Sequence, residues 1–106
     1  MDPEGTNCAP APLTGAQRKH LRGLANPLKA LVQVGEAGLS DSVIRAVDKA
    51  LLDHELVKVR LFRPEDKKGS AQTLSERTSS HLCGLVGHTV ILYRPHPEKP
   101  RIQIPA

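Results

Sequence analysis

The sequence predicts an α/β domain in the order α-β-α-β-α-β-β, with a four-stranded mixed sheet packed against helices. Three observations carry this expectation. Apolar residues recur at helical spacing in segments that open on capping residues, at Thr14 and at Ser40. Short runs of strand character lie at 31–34 and, in strict alternation, at 56–62. Two further runs flank Gly87-His88, a spacing suited to a tight hairpin. Helices alternating with strands imply right-handed crossovers and parallel pairing, while the hairpin adds an antiparallel pair.

The first helix starts at Thr14, whose hydroxyl can accept from the amide of Gln17 while the Gln17 side chain reaches back to the cap. It must stop near Asn26, because Pro27 lacks an N–H and biases its predecessor away from helical angles. Leu21 and Leu24 form the inward stripe, and Arg18, Lys19 and Arg22 share an arc of about 100° on another side. Leu31, Val32 and Val34 are too few for a helix and read as a buried strand ending at Gly35. Ser40 then caps a second helix, with Asp41 against the positive end of its dipole and Val43, Val47, Ala50 and Leu51 as its apolar face.

In the alternating run, Val57, Val59 and Leu61 take one face of a strand and Lys58, Arg60 and Phe62 the other, so one face is buried and one partly wet. Between 66 and 78, Ala71, Leu74 and Thr78 keep helical spacing, but Gly69 and the serines weaken helix formation, which predicts a short third helix. The hairpin strands are 81–86 and 89–94, and a glycine in the first turn position points to a type II′ turn.

With 106 residues there is room for one modest core. Residues 1–12, with three prolines, a glycine and two acids, have almost nothing to bury and read as a disordered arm. The domain runs over 13–95. Residues 96–106 form a Pro-rich tail in which only Ile102 and Ile104 alternate, enough for a short edge strand at most. One Phe, one Tyr and no Trp leave the core to Leu, Val, Ile and Ala and argue against recognition by stacked bases. Cys8 and Cys83 do not form a disulfide framework, which fits a reducing cytosol. Without a membrane-length apolar stretch or a signal peptide, the expectation is a cytoplasmic protein.

Fifteen Lys plus Arg against eleven Asp plus Glu give a net charge of +4, and the excess is arranged in blocks. Residues 13–35 hold Arg18, Lys19, Arg22 and Lys29 and no acid; 36–55 hold five acids against Arg45 and Lys49; 56–63 hold Lys58, Arg60 and Arg63 and no acid. Such segregation suits a polyanionic partner, and equally a solvated helix face. Gly35-Glu36-Ala37-Gly38 lies between a strand and a helix start, where unpaired amides and the helix dipole both favour a phosphate; a tight turn is its plainer reading. His81, Cys83 and His88 match no standard zinc spacing. No base and orienting acid can be identified for Cys83, and His54-Glu55 reads as a cap on the turn into the next strand. The chain therefore reads as a binding protein and not an enzyme, with no catalytic residue, metal site or cofactor.

Leu13-Thr14-Gly15, Gln17-Arg18-Lys19, Leu21-Arg22, Val34-Gly35, Gly38-Leu39, His54-Glu55-Leu56-Val57-Lys58-Val59, Val86-Gly87-His88-Thr89 and Leu92-Tyr93-Arg94 occur together and in order. This set resembles the YhbY-type CRM domain, over roughly residues 13–95. The resemblance implies a fold similar to the C-terminal domain of a bacterial translation initiation factor. It also implies a monomeric RNA-binding protein of ribosome biogenesis, bound to ribosomal RNA in large-subunit precursors, whose GxxG loop contacts RNA much as the KH module's does. Carried over, the loop is Gly35, Glu36, Ala37 and Gly38. Arg18, Lys19, Arg22 and Lys29 extend the RNA-contacting surface, and Lys58, Arg60 and Arg94 add to it. The family's loop usually carries a lysine where this chain has Glu36, an acid that would repel a phosphate unless it turns away. The alternative is a protein–protein adaptor docking on a ribosomal or assembly protein through the sheet face around Lys58, Arg60 and Phe62.

Overall fold

A computed structural model of the protein describes residues 13–35, 38–62, 66–98 and 102. Its elements follow the predicted order: α1 (Gly15–Ala25), β1 (Ala30–Val34), α2 (Asp41–His54), β2 (Leu56–Leu61), α3 (Lys67–Arg77), β3 (His81–Val86) and β4 (Thr89–Tyr93). The arm at 1–12, together with Glu36, Ala37, Arg63 and Ile104, lies outside the described residues.

Among the described residues the four strands form one mixed sheet, in the order β1-β2-β4-β3. β1 and β2, joined through α2, are parallel, with Val32 opposite Val59 and Val34 opposite Leu61. β4 runs antiparallel to both β2 and β3. Gly87 has φ +60 and His88 stays out of the left-handed region, as a type II′ turn requires.

Strand alternation sorts the side chains into two layers. On one face Val32, Val34, Val57, Val59, Leu61, Val90 and Leu92 pack with Val47 and Leu51 of α2 and Ala71 and Leu74 of α3. On the other, Leu56, Cys83, Ile91 and Tyr93 pack with Leu21 and Ala25 of α1. A fully buried leucine contributes about 1.5–3 kcal/mol, so Leu21, Leu51, Leu74 and Leu92 fasten the three helices to the sheet. The predicted stripe of α1 needs one correction: Leu24 is 42% exposed, and the buried partner of Leu21 is Ala25. The i, i+4 pair faces the sheet, and Leu24 falls on the flank.

The caps are those the sequence offers. The Thr14 amide donates to Gln17 Oε1 (2.9 Å) and the Gln17 amide to Thr14 Oγ1 (3.1 Å). Ser40 Oγ accepts from the Val43 amide at 3.3 Å. The third helix, predicted to be short, reaches 11 residues. Asp66 caps it through the Gly69 amide at 3.0 Å, and a Cβ on Gly69 would run into that carboxylate. The glycine that weakens the helix on propensity makes room for its cap.

Glu55 is fully buried and adopts φ +65 at the end of α2. Its carboxylate accepts the His96 amide (2.8 Å) and the Ile102 amide (3.0 Å), while its carbonyl accepts the Arg94 amide at 2.8 Å. The capping role read from the sequence thus extends to fastening the C-terminal segment. Ile102 forms no strand; it packs against the α1-side cluster, so contacts with the domain continue past residue 95.

Cys83 is 2% exposed, and burial pushes its thiol up to about 11, from an ordinary 9.0, against the pull of the Arg18 and Arg22 guanidinium groups. The unfolded chain then loses this proton before the folded one. The thiol's contribution to stability is complete below about pH 9 and is lost as pH rises toward about 11. The expected result is negligible labelling of Cys83 by a thiol reagent at neutral pH until denaturant unfolds the chain; prompt labelling of the folded protein would contradict this.

Candidate nucleic-acid interface

Helix α1 covers only part of its face of the sheet. Beside its C-terminal end, the uncovered part of β2 and β4 forms a concave groove of about 440 Å³. Four basic side chains line it, Arg22 from α1, Lys29 from the segment before β1, and Lys58 and Arg60 from β2, with no acid among the described lining residues. Asn26 and Thr89 add neutral polar groups, and Val86 and Ile91 an apolar floor.

The four cations are held differently. Lys58 Nζ donates to the carbonyls of Asn26 (3.2 Å) and Leu28 (3.0 Å), placing its charge at the negative end of α1. Arg22 Nη1 donates to the Cys83 carbonyl at 2.9 Å, and its chain crosses the sheet over Gly84, where a Cβ would lie 2.6 Å from Arg22 Cδ. Lys29 and Arg60 are exposed and make no side-chain hydrogen bond or ion pair among the described residues. Two cations therefore brace the groove and two are open to a ligand. Three ion pairs among the described residues lie on the other layer: Arg77 with Asp41 at 3.2 Å, Lys49 with Asp53 at 3.4 Å, and Arg94 with Asp48. The charge blocks of the sequence become a basic face over the sheet and an acid-bearing face around α2.

Arg60 also lines a second cleft, of about 260 Å³, with Gln33, Val34, Gly35, Leu61 and Phe62. Gly35 follows β1, and the turn after it is closed by the Gly38 amide donating to the Gly35 carbonyl at 3.0 Å. Gly38 has φ +74, and two residues later Ser40 caps α2. A strand, a glycine turn and a capped helix thus stand in sequence at the end of the groove.

Residues 13–94 match the CRS1 / YhbY (CRM) domain. The chain belongs to this family. YqeI of Bacillus subtilis (strain 168), named "Probable RNA-binding protein", is 36% identical over 95 residues, covering 88% of this chain and 99% of its own length. An RNA-binding protein of Haemophilus influenzae is 34% identical over 95 residues, 88% of this chain and 95% of its own. The solution structure of SAV1595 from Staphylococcus aureus superposes with a TM-score of 0.78 at 37% identity, over 88% of this chain and 99% of that one.

The residues assigned by resemblance to the CRM domain divide spatially. Arg22, Lys29, Lys58 and Arg60 meet in the groove, and Gly35 and Gly38 close the adjoining turn. Glu36 and Ala37 lie outside the described residues. Arg18 sits toward the other end of α1, donating to the Leu13 carbonyl at 2.9 Å and lining a polar cleft of about 240 Å³ with Ser80 and His81. Lys19 is exposed, about 160° around α1 from Leu21, and does not line the groove. Arg94 departs furthest from expectation: it donates to the Thr78 carbonyl (2.8 Å), the Asp48 carbonyl (3.0 Å) and the Asp48 carboxylate, tying the chain just after β4 to the middle of α2 and the end of α3 on the opposite face. Its parity with Leu92 already placed it there. Asn26 and Thr89 went unread as groove residues, although Thr89 pairs with Arg60 across the sheet.

The two glycines can be tested separately. A Cβ at Gly35 would meet nothing within 4 Å, whereas Gly38 needs its positive φ. Gly35→Ala is therefore expected to melt like the wild type and to lose polyanion affinity if a phosphate approaches this backbone. Gly38→Ala is expected to lose about 1 kcal/mol of stability in a denaturant titration as well.

Proposed function

We propose that this CRM-family protein binds RNA through the groove of Arg22, Lys29, Lys58 and Arg60 and the adjoining GxxG turn. In this reading it associates with large ribosomal subunit precursors in the cytoplasm during assembly, as a monomer and without catalysing a reaction. The observation that carries the RNA contact is the convergence of four cations from three segments of the chain in one concavity, with no acid among its described lining residues. Cations so placed recognise a phosphate backbone by position and shape, and releasing counterions gives most of the affinity. The names of the YqeI and Haemophilus influenzae relatives agree with that ligand class.

The test is co-sedimentation of the purified protein with large-subunit precursors, mature subunits and free RNA at low and high salt. Selective, salt-sensitive association with precursors is the expected result, and no association with any of the three would overturn it. Phe62 and Val86, 48% and 64% exposed, favour the adaptor as a second reading. Association that needs no RNA and survives about 0.5 M salt would establish it instead.

A further inference from the structure

We infer that the cleft beside the 35–38 turn is a subsite for one unpaired nucleobase, stacked on Phe62 while Arg60 holds the phosphate next to it. The inference rests on the proposed RNA binding and names the form of RNA: a single strand, or a splayed-out base of a structured one. The chain has two aromatic residues besides its histidines. Tyr93 is 3% exposed and lies against the His81 ring, with centroids 6.1 Å apart. Phe62 is 48% exposed, follows β2 directly and lines the same cleft as Arg60. Two residues apart in the chain and lining one cleft, Arg60 and Phe62 can both be reached by one ligand residue.

The cleft of about 260 Å³ is shared by Phe62, Arg60, Gln33 and Gly35. Gln33, exposed and opposite Arg60, brings an amide that can donate to and accept from a base edge. Gly35 leaves the wall without a side chain. A π-face, a cation, an amide and a bare backbone are the groups a nucleotide needs, and single-stranded RNA is commonly read by stacking of this kind. The scarcity of aromatic residues limits the site to one base; it does not exclude stacking.

Because the chain has no Trp, Phe62→Trp introduces a single indole fluorophore at the subsite. The titrants are a single-stranded oligouridine of about ten nucleotides, an abasic strand of the same length, and a blunt RNA duplex. Oligouridine is expected to quench the fluorescence of the Phe62→Trp variant, and the other two are not. Phe62→Ala and Phe62→Leu should each bind oligouridine about tenfold more weakly while binding the abasic strand as before. The subsite is refuted, with the groove intact, if Phe62→Ala binds oligouridine normally and the introduced indole is unquenched while Lys29→Glu/Arg60→Glu still abolishes binding. Equal losses for oligouridine and the abasic strand would also refute base stacking. If neither Phe62→Ala nor the charge reversals affect binding, the groove is not the RNA interface and the subsite falls with it.

Discussion

Reversing the two open cations of the groove, Lys29→Glu with Arg60→Glu, is expected to reduce RNA affinity by at least about a hundredfold at low salt. Each lost charge-assisted contact is worth about 1.5–3 kcal/mol, roughly tenfold or more, and the new carboxylates repel phosphate besides. The slope of log K against log salt should fall by about 0.7–0.9 for each contact removed. Neither side chain makes an internal hydrogen bond or ion pair among the described residues, so the variant should keep the wild-type melting temperature. Arg22 and Lys58 are poorer targets, because they also hold the carbonyls of Cys83, Asn26 and Leu28. Lys19→Glu on the outer side of α1 is the control and should change affinity by less than about threefold. Unchanged binding and salt slope in the double variant would remove the groove from the interface.

The largest effect on stability is expected at Glu55. Glu55→Ala takes the acceptor from the amides of His96 and Ile102 and leaves both donors without the carboxylate that held them. At about 1–3 kcal/mol per unsatisfied donor, the variant should lose about 2–6 kcal/mol in urea denaturation, a large share of the total for a domain this size. Ile102 would also lose its hold over the cluster of Leu21, Leu56 and Tyr93. Glu55→Gln keeps the volume but turns one acceptor into a donor, and should lose about half as much. A loss below about 0.5 kcal/mol in Glu55→Ala would show that the C-terminal segment is held by other contacts.

The element order, both helix caps, the hairpin and the two faces of β2 were legible in the sequence because each has a local cause. Thr14 and Gln17 sit three apart, Gly87 supplies the positive φ of its turn, and Val57, Val59 and Leu61 alternate with Lys58 and Arg60. The full length of α3 was not, because propensity disfavours Gly69 while the cap on Asp66 requires it. The binding face was legible in kind but not in detail. Charge blocks showed that 13–35 and 56–63 are basic, yet only the packing of α1 decides that Arg22 joins Lys58 in one groove while Lys19 looks away. Arg94 misled for a different reason: the resemblance groups it with Lys58 and Arg60, whereas its strand parity sends it to Asp48 on the other layer. The fastening of residues 96 and 102 by Glu55 joins positions 41 and 47 apart in the chain, which no local pattern reports.

The most direct test of the central claim is to titrate the isotopically labelled protein with a short RNA and follow its amide and side-chain signals by NMR. The groove account predicts that the largest shifts fall on Arg22, Asn26, Lys29, Lys58, Arg60 and Thr89, continue to Gly35 and Phe62, and fade as salt is raised. Shifts concentrated instead around Asp41, Asp48 and Arg77, with the groove residues unmoved, would contradict it.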